Sequence, residues 1–188
     1  MKKSELIQII REEVKKIINK RSLREGVEIP DWLKGKLEDV HVKPGQGSIF
    51  SKPISQVLKL TQDLLNKIDP DEIDEIANST GVLTMKSSGI GYNLVLPINA
   101  ARKLKNATEI EVEKIEGPNK IKVPAIKTSE SKSKFKTDDL TVIVRPKKDA
   151  QGNVLQGEYI ILTVFPGEST PRASEWNGKY AVIIPEDA

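Results

Sequence analysis

The spacing of apolar residues changes near residue 80, from the period of three and four expected of helices to the period of two expected of strands. In Ser4–Lys20, Leu6, Ile9, Ile10, Val14, Ile17 and Ile18 form one narrow apolar stripe between charged residues, behind a potential N-cap at Ser4. A helix with so narrow a stripe needs the body of the protein, or a second copy of itself, to cover it. Arg21–Pro30 is polar, contains Gly26 and Pro30, and reads as a linker. A short helix over Asp31–Val40 follows, capped by Asp31, with Trp32, Leu33 and Leu37 on its buried side. His41–Pro53 is rich in Gly and Pro and reads as a loop. The next helix, Ile54–Ile68, buries Ile54, Val57, Leu58, Leu60, Leu64, Leu65 and Ile68. Pro70 opens another over Asp71–Asn78, with acids in the first turn to complement the helix dipole and Gly81 to end it.

Beyond that point the pattern predicts about six strands: Gly91–Pro97, Glu109–Glu116, Ile121–Lys127, Leu140–Arg145, Tyr159–Phe165 and Tyr180–Ile184. Ile98–Lys105 reads as a short helix against the sheet. Gly117–Lys120 turns the second strand into the third, and Pro124 assigns that third strand to an edge or a bulge. Pro146–Gly157 reads as a polar hairpin loop between the two most apolar strands, which belong at the centre. Strands joined by hairpin-length turns favour an antiparallel sheet with helices on one face, an α+β fold. The predicted organisation is an appendage over residues 1–24 and a domain over 31–188, helical in 31–80 and sheet in 81–188.

Composition narrows the chemistry. The chain has 188 residues, 37% of them apolar and only 4% aromatic, so Ile, Val and Leu must supply the core. Cysteine is absent and His41 is the only histidine, which removes disulfides, thiolate zinc sites and multi-histidine metal centres. Carboxylate-bound Mg²⁺ or Ca²⁺ stays open, but no loop has the spacing of a calcium site, and no metal or cofactor is assigned. There is no apolar run of about 20 residues and no signal-peptide pattern, which predicts a cytoplasmic protein without a membrane segment.

The net charge of +3 hides an asymmetry. Lys120–Lys148 holds nine Lys or Arg against three acids, whereas Asp63–Thr80 holds six acids against Lys67. The basic stretch suits a polyanionic partner, and equally a solvated face. Lys127, Lys134, Lys136 and Arg145 are the candidate nucleic-acid contacts, with Phe135 as a stacking group.

Two further features bear on chemistry. His41 is the one side chain that titrates near neutral pH without perturbation, so any imidazole acid–base catalysis must use it. Phe165–Arg172 is a loop stiffened by Pro166 and Pro171, in which Ser169, Thr170 and Arg172 offer donors suited to a phosphate. Trp176 follows it, as a base-stacking or core residue. Ser87–Tyr92 contains Gly89 and Gly91 but lacks phosphate-loop spacing, and a strand-entry turn accounts for it.

The run Gly157–Gly167 (GEYIILTVFPG) resembles the penultimate-strand motif of the ribonuclease superfamily that unites barnase, EndoU, colicin and RelE-type nucleases. The order of helices, then an antiparallel sheet with a basic hairpin before that strand, is similar too. The resemblance covers about the last sixty residues. It implies that Thr163 places a hydroxyl near a scissile phosphate. The family's usual pairing of His with Lys or Arg on neighbouring elements is not matched, since His41 lies far upstream. The opening MKKSELIQIIREEVKKII is similar to the start of small tailed-phage proteins.

Two functions fit these observations. One is a binding or assembly protein that uses a basic sheet surface toward RNA or an acidic host protein, and residues 4–20 to form a homo-oligomer. The other is a metal-independent endoribonuclease with His41, Thr163 and Arg172 as catalytic residues.

Overall fold

The computed structural model describes residues 9–14, 27–41 and 45–187. These form an α+β structure with nine strands in two sheets, more than the six expected. Helix α1, residues 9–14, covers the described part of the predicted Ser4–Lys20 helix, and there Ile9, Ile10 and Val14 are about half exposed. The rest of that prediction lies outside the described residues. Val27–Glu28, read as linker, is instead strand β1, drawn into parallel pairing with Tyr159 and Ile160.

Helices α2 (Asp31–Val40), α3 (Ile54–Leu65) and α4 (Pro70–Asn78) match the helical period. Asp31 does not cap α2; Pro30 occupies the N-cap and makes no side-chain bond. Leu33 and Leu37 are buried, but Trp32 is 49% exposed, with Lys36 Nζ 5.4 Å from its ring centre. Asp69 caps α4 by accepting from Asp71 N–H, and Pro70 begins its first turn. Gly81 ends that helix at φ +65°, donating to Ile76 O. A Cβ at Gly81 would collide with the Arg145 guanidinium, so both the backbone angle and the packing require glycine.

The predicted loop 41–53 contains β2 (Ser48–Phe50), buried along its length. The next strand is longer than its apolar signature: β3 runs from Val82 to Asn93, and the register shift between Lys86 and Gly91 places the Gly89–Gly91 stretch in a bulge rather than a turn at strand entry. Chain direction breaks at Leu94, and β4 (Val95–Pro97) enters a second sheet before the one-turn helix α5 (Ile98–Ala101). β5 (Thr108–Glu116) and β6 (Asn119–Lys127) make the predicted hairpin. β7 (Lys136–Lys148) and β8 (Val154–Pro166) extend far into the predicted 146–157 loop. β9 (Tyr180–Ile184) is the last strand.

The first sheet has the order β1-β8-β7-β3-β2 and the second β4-β9-β6-β5. Pairing is antiparallel except at β1–β8 and β6–β9. β6 is therefore interior and in unbroken register with β5, contrary to the edge or bulge assigned from Pro124. The proline is tolerated because pairing with β9 begins only at Ala125, so its missing N–H leaves no gap in that ladder.

The helices cover one face of the first sheet, around Leu33, Leu37, Val57, Leu65, Leu140, Val142 and Ile161. A second core joins Ile49 and Leu94 to Ile126, Phe135, Ala181 and Ile183. A third lies on the other face of the second sheet, where Val123, Ala125 and Val182 meet Ala173 and Trp176. Among the described residues no helix is long and apolar enough to cross a membrane.

Candidate active site

His41 follows α2, where its N–H donates to Leu37 O and its carbonyl accepts from Phe50 N–H. The two bonds hold the residue between helix and β2. Its ring lies edge-on to Phe50 at 5.8 Å and stacks on Phe165 at 6.1 Å. Nδ1 is 2.8 Å from Ser48 Oγ, and the residue is 8% exposed. Burial and, second, the charge of Lys114 lower the imidazole pKa to about 3, against the opposing bond from Ser48. The ring is neutral at neutral pH.

Lys114 explains part of that field. Along β5, Ile110 and Val112 face the third core, and the next inward positions are Lys114 and Glu116. Lys114 Nζ donates to the Gln46 carbonyl, and burial lowers its pKa to about 8, with Glu116 opposing. Among the described residues no carboxylate lies within ion-pairing distance of it. The Gln46 side chain completes the clasp, accepting from Ile115 N–H at 2.9 Å and donating to Glu113 O at 3.3 Å. Gly47 permits this approach: at φ +93° a Cβ would stand 2.6 Å from Val95 and 3.3 Å from Lys114 Nζ.

A cavity of about 180 Å³ opens between these groups. Ser48, Lys114, Glu116 and Phe165 line it from strands of the two sheets, His41 from the end of α2, and Glu168, Thr170 and Arg172 from the loop after β8. That loop is anchored by Thr141 Oγ1, which donates to Gly167 O at 2.6 Å, and by Trp176 Nε1, which donates to Pro171 O at 2.9 Å. Trp176 is 2% exposed and packs at 6.0 Å from Tyr180. Arg172 is exposed, and among the described residues no side-chain bond engages its guanidinium.

The tertiary structure thus joins His41 to the Pro-stiffened loop and Arg172, and leaves the other candidates elsewhere. Thr163 is half buried in β8 opposite Ile143 and does not line the cavity. Arg145 donates to the carbonyls of Thr80 and Val144, packing over Gly81. It lies on β7 about 30 Å from Lys136, at roughly 3.3 Å per residue, so the two cannot share a small ligand. Lys127 is exposed on β6 beside Ile184. Lys134 pairs with Glu130 at 2.6 Å. Phe135 is 7% exposed in the second core and presents no face to a base.

A larger groove of about 770 Å³ lies between α4 and β8. Tyr159 lines it and donates to Asp74 Oδ1 at 2.5 Å; burial and Asp74 raise the tyrosine pKa, so the hydroxyl stays protonated. Among the described residues no three His, Cys, Asp or Glu side chains converge as metal ligands do. No family model, curated protein or solved structure matches the chain.

Proposed function

We propose that the protein is a metal-independent endoribonuclease acting at the His41 cavity. One observation carries this reading: the sole imidazole, a partly buried lysine and an arginine with no side-chain bond among the described residues line one cavity, although they come from separate parts of the sequence. Perturbed titratable groups gathered in a cleft are the arrangement acid–base catalysis requires. Attack of an RNA 2′-hydroxyl on phosphorus needs a base for its proton, an acid for the leaving 5′-oxygen, and cations for the charge on the phosphoryl oxygens.

His41 enters that reaction neutral and accepts the 2′-hydroxyl proton. Burial first and the Lys114 charge second oppose imidazolium formation, and a bound phosphate offsets the second of these. Arg172 holds the phosphate, since its planar donor fork matches two phosphoryl oxygens. Lys114 is protonated at neutral pH and stands ready to donate to the leaving oxygen. Thr163 and Arg145, outside the cavity, have no part in this scheme. Purified protein is expected to cleave single-stranded RNA in EDTA, and His41→Ala to abolish it. Unchanged cleavage by that variant removes His41 from the mechanism.

A second reading, assembly through α1, rests on the half-exposed Ile9, Ile10 and Val14. Light scattering is expected to show an oligomer that becomes a monomer when residues 1–24 are deleted. A monomer in both cases excludes that role.

A further inference from the structure

We propose that Lys114 is the principal anion ligand of the cavity, its partly buried ammonium completed by a tetrahedral phosphate-type oxyanion that Arg172, lining the same cavity, holds with it. The inference deepens the ribonuclease reading by naming the group that binds the phosphate, but its physical basis is separate. A lysine ammonium has three donors, and among the described residues one is engaged, at the Gln46 carbonyl. Buried ammonium groups are ordinarily paired, because an unpaired one forfeits hydration without recovering Coulomb energy. Here no carboxylate pairs with it among the described residues, while the cavity opens beside it.

The surrounding groups determine what completes the pair. Glu116, on the same strand, lines the cavity beyond ion-pairing distance and accepts from Ser174 N–H at 3.2 Å. Glu168 also lines the cavity and is exposed to solvent. Arg172 faces the cavity from the same loop as Glu168, and Thr170 adds a hydroxyl. His41 is neutral and contributes no charge, and Lys36 lies behind it, donating to Leu162 O. The lining holds Glu116 and Glu168 as well as the two cations, but Glu116 accepts from Ser174 N–H and Glu168 is exposed, so a compact oxyanion at Lys114 and Arg172 meets those two cations and the Thr170 hydroxyl.

Binding of inorganic sulfate tests this, measured by calorimetry against chloride at matched ionic strength. The charge of sulfate is constant through the neutral range, so any pH dependence belongs to the protein. Wild-type protein is expected to bind sulfate near neutral pH and to lose affinity above about pH 8, as Lys114 gives up its proton. Lys114→Met is expected to weaken binding by about tenfold or more, the scale of a charge-assisted contact. Arg172→Gln, at an exposed position where folding is not at stake, is expected to weaken it several-fold. Lys103→Met, on the surface after α5, serves as the control and is expected to change nothing.

Absence of sulfate binding, or equal affinity in wild type and both site variants, overturns the proposal. Sulfate binding that depends on Lys114 without RNA cleavage leaves the proposal standing and removes the ribonuclease reading. Cleavage without such binding does the reverse.

Discussion

Between pH 6.5 and about pH 4 the folded protein is expected to lose about 3 kcal/mol of stability through His41 alone. The imidazole sits about 3 in the fold and 6.5 when unperturbed. Across that window the unfolded chain binds a proton that the folded chain refuses. Stability is therefore complete above 6.5 and falls as the pH drops toward 3. Carboxylates such as Glu109 and Glu130, whose pKa values are lowered by Arg102 and Lys134, add their own acid sensitivity. A variant isolates the histidine. His41→Phe keeps a ring between Phe50 and Phe165 but leaves Ser48 Oγ without its partner, at a cost of about 1–3 kcal/mol near neutral pH. Denaturant unfolding across the acid range is expected to show a slope shallower by nearly one proton in His41→Phe than in wild type. Equal slopes would mean that the wild-type ring titrates normally and is not held neutral by burial.

Lys114→Met is expected to stabilise the protein at neutral pH while damaging its site. With its pKa lowered from 10.5 to about 8, the protonated lysine costs the fold about 3 kcal/mol relative to an exposed one. Between those values the unfolded chain binds more protons, so the cost shrinks as pH rises through 8 toward 10.5. Methionine of similar length removes the charge and forfeits the bond to Gln46 O, leaving a net gain of about 2 kcal/mol. For a chain of this size that corresponds to a melting temperature higher by ~4–8 °C. The gain should disappear near pH 10 in thermal melts. A variant less stable than wild type at neutral pH would show that Lys114 holds the Gln46 clasp together and is not a strained functional charge. Stability traded for a charge in a cavity is the pattern expected where the charge has work to do on a ligand.

The legible and illegible parts of this protein divide by the range of the interactions concerned. α3 and α4 could be read to within a few residues, because helix period, Pro70 and Gly81 are local signals; the Asp69 cap, equally local, was not picked out. Five of the six predicted strands are single strands for the same reason, alternation being a property of neighbours in sequence, whereas Gly91–Pro97 divides between the end of β3 and β4 in the other sheet. Trp32 misled because α2 presents only Leu33 and Leu37 to the core, and no local pattern says how far an apolar stripe is covered. β1 was hidden because two residues carry no period, and β2 because Gly and Pro on either side disguise a strand buried on both faces.

At the site the same division holds. His41 and the loop ending at Arg172 were recognisable from residue type, pKa and stiffness. Lys114 left a readable mark as well, a lysine at the inward position after Ile110 and Val112, and it passed unnoticed because the run looks like ordinary alternation. By itself the sequence determined the helices, most of the strands and the residue types available for chemistry, since each depends on contacts a few positions apart. Only the tertiary structure decided that the chain forms two sheets, that Phe135 is core, and that His41, Lys114 and Arg172 surround one cavity. Those outcomes depend on which distant surfaces cover one another, and that choice is made by the burial of the whole chain.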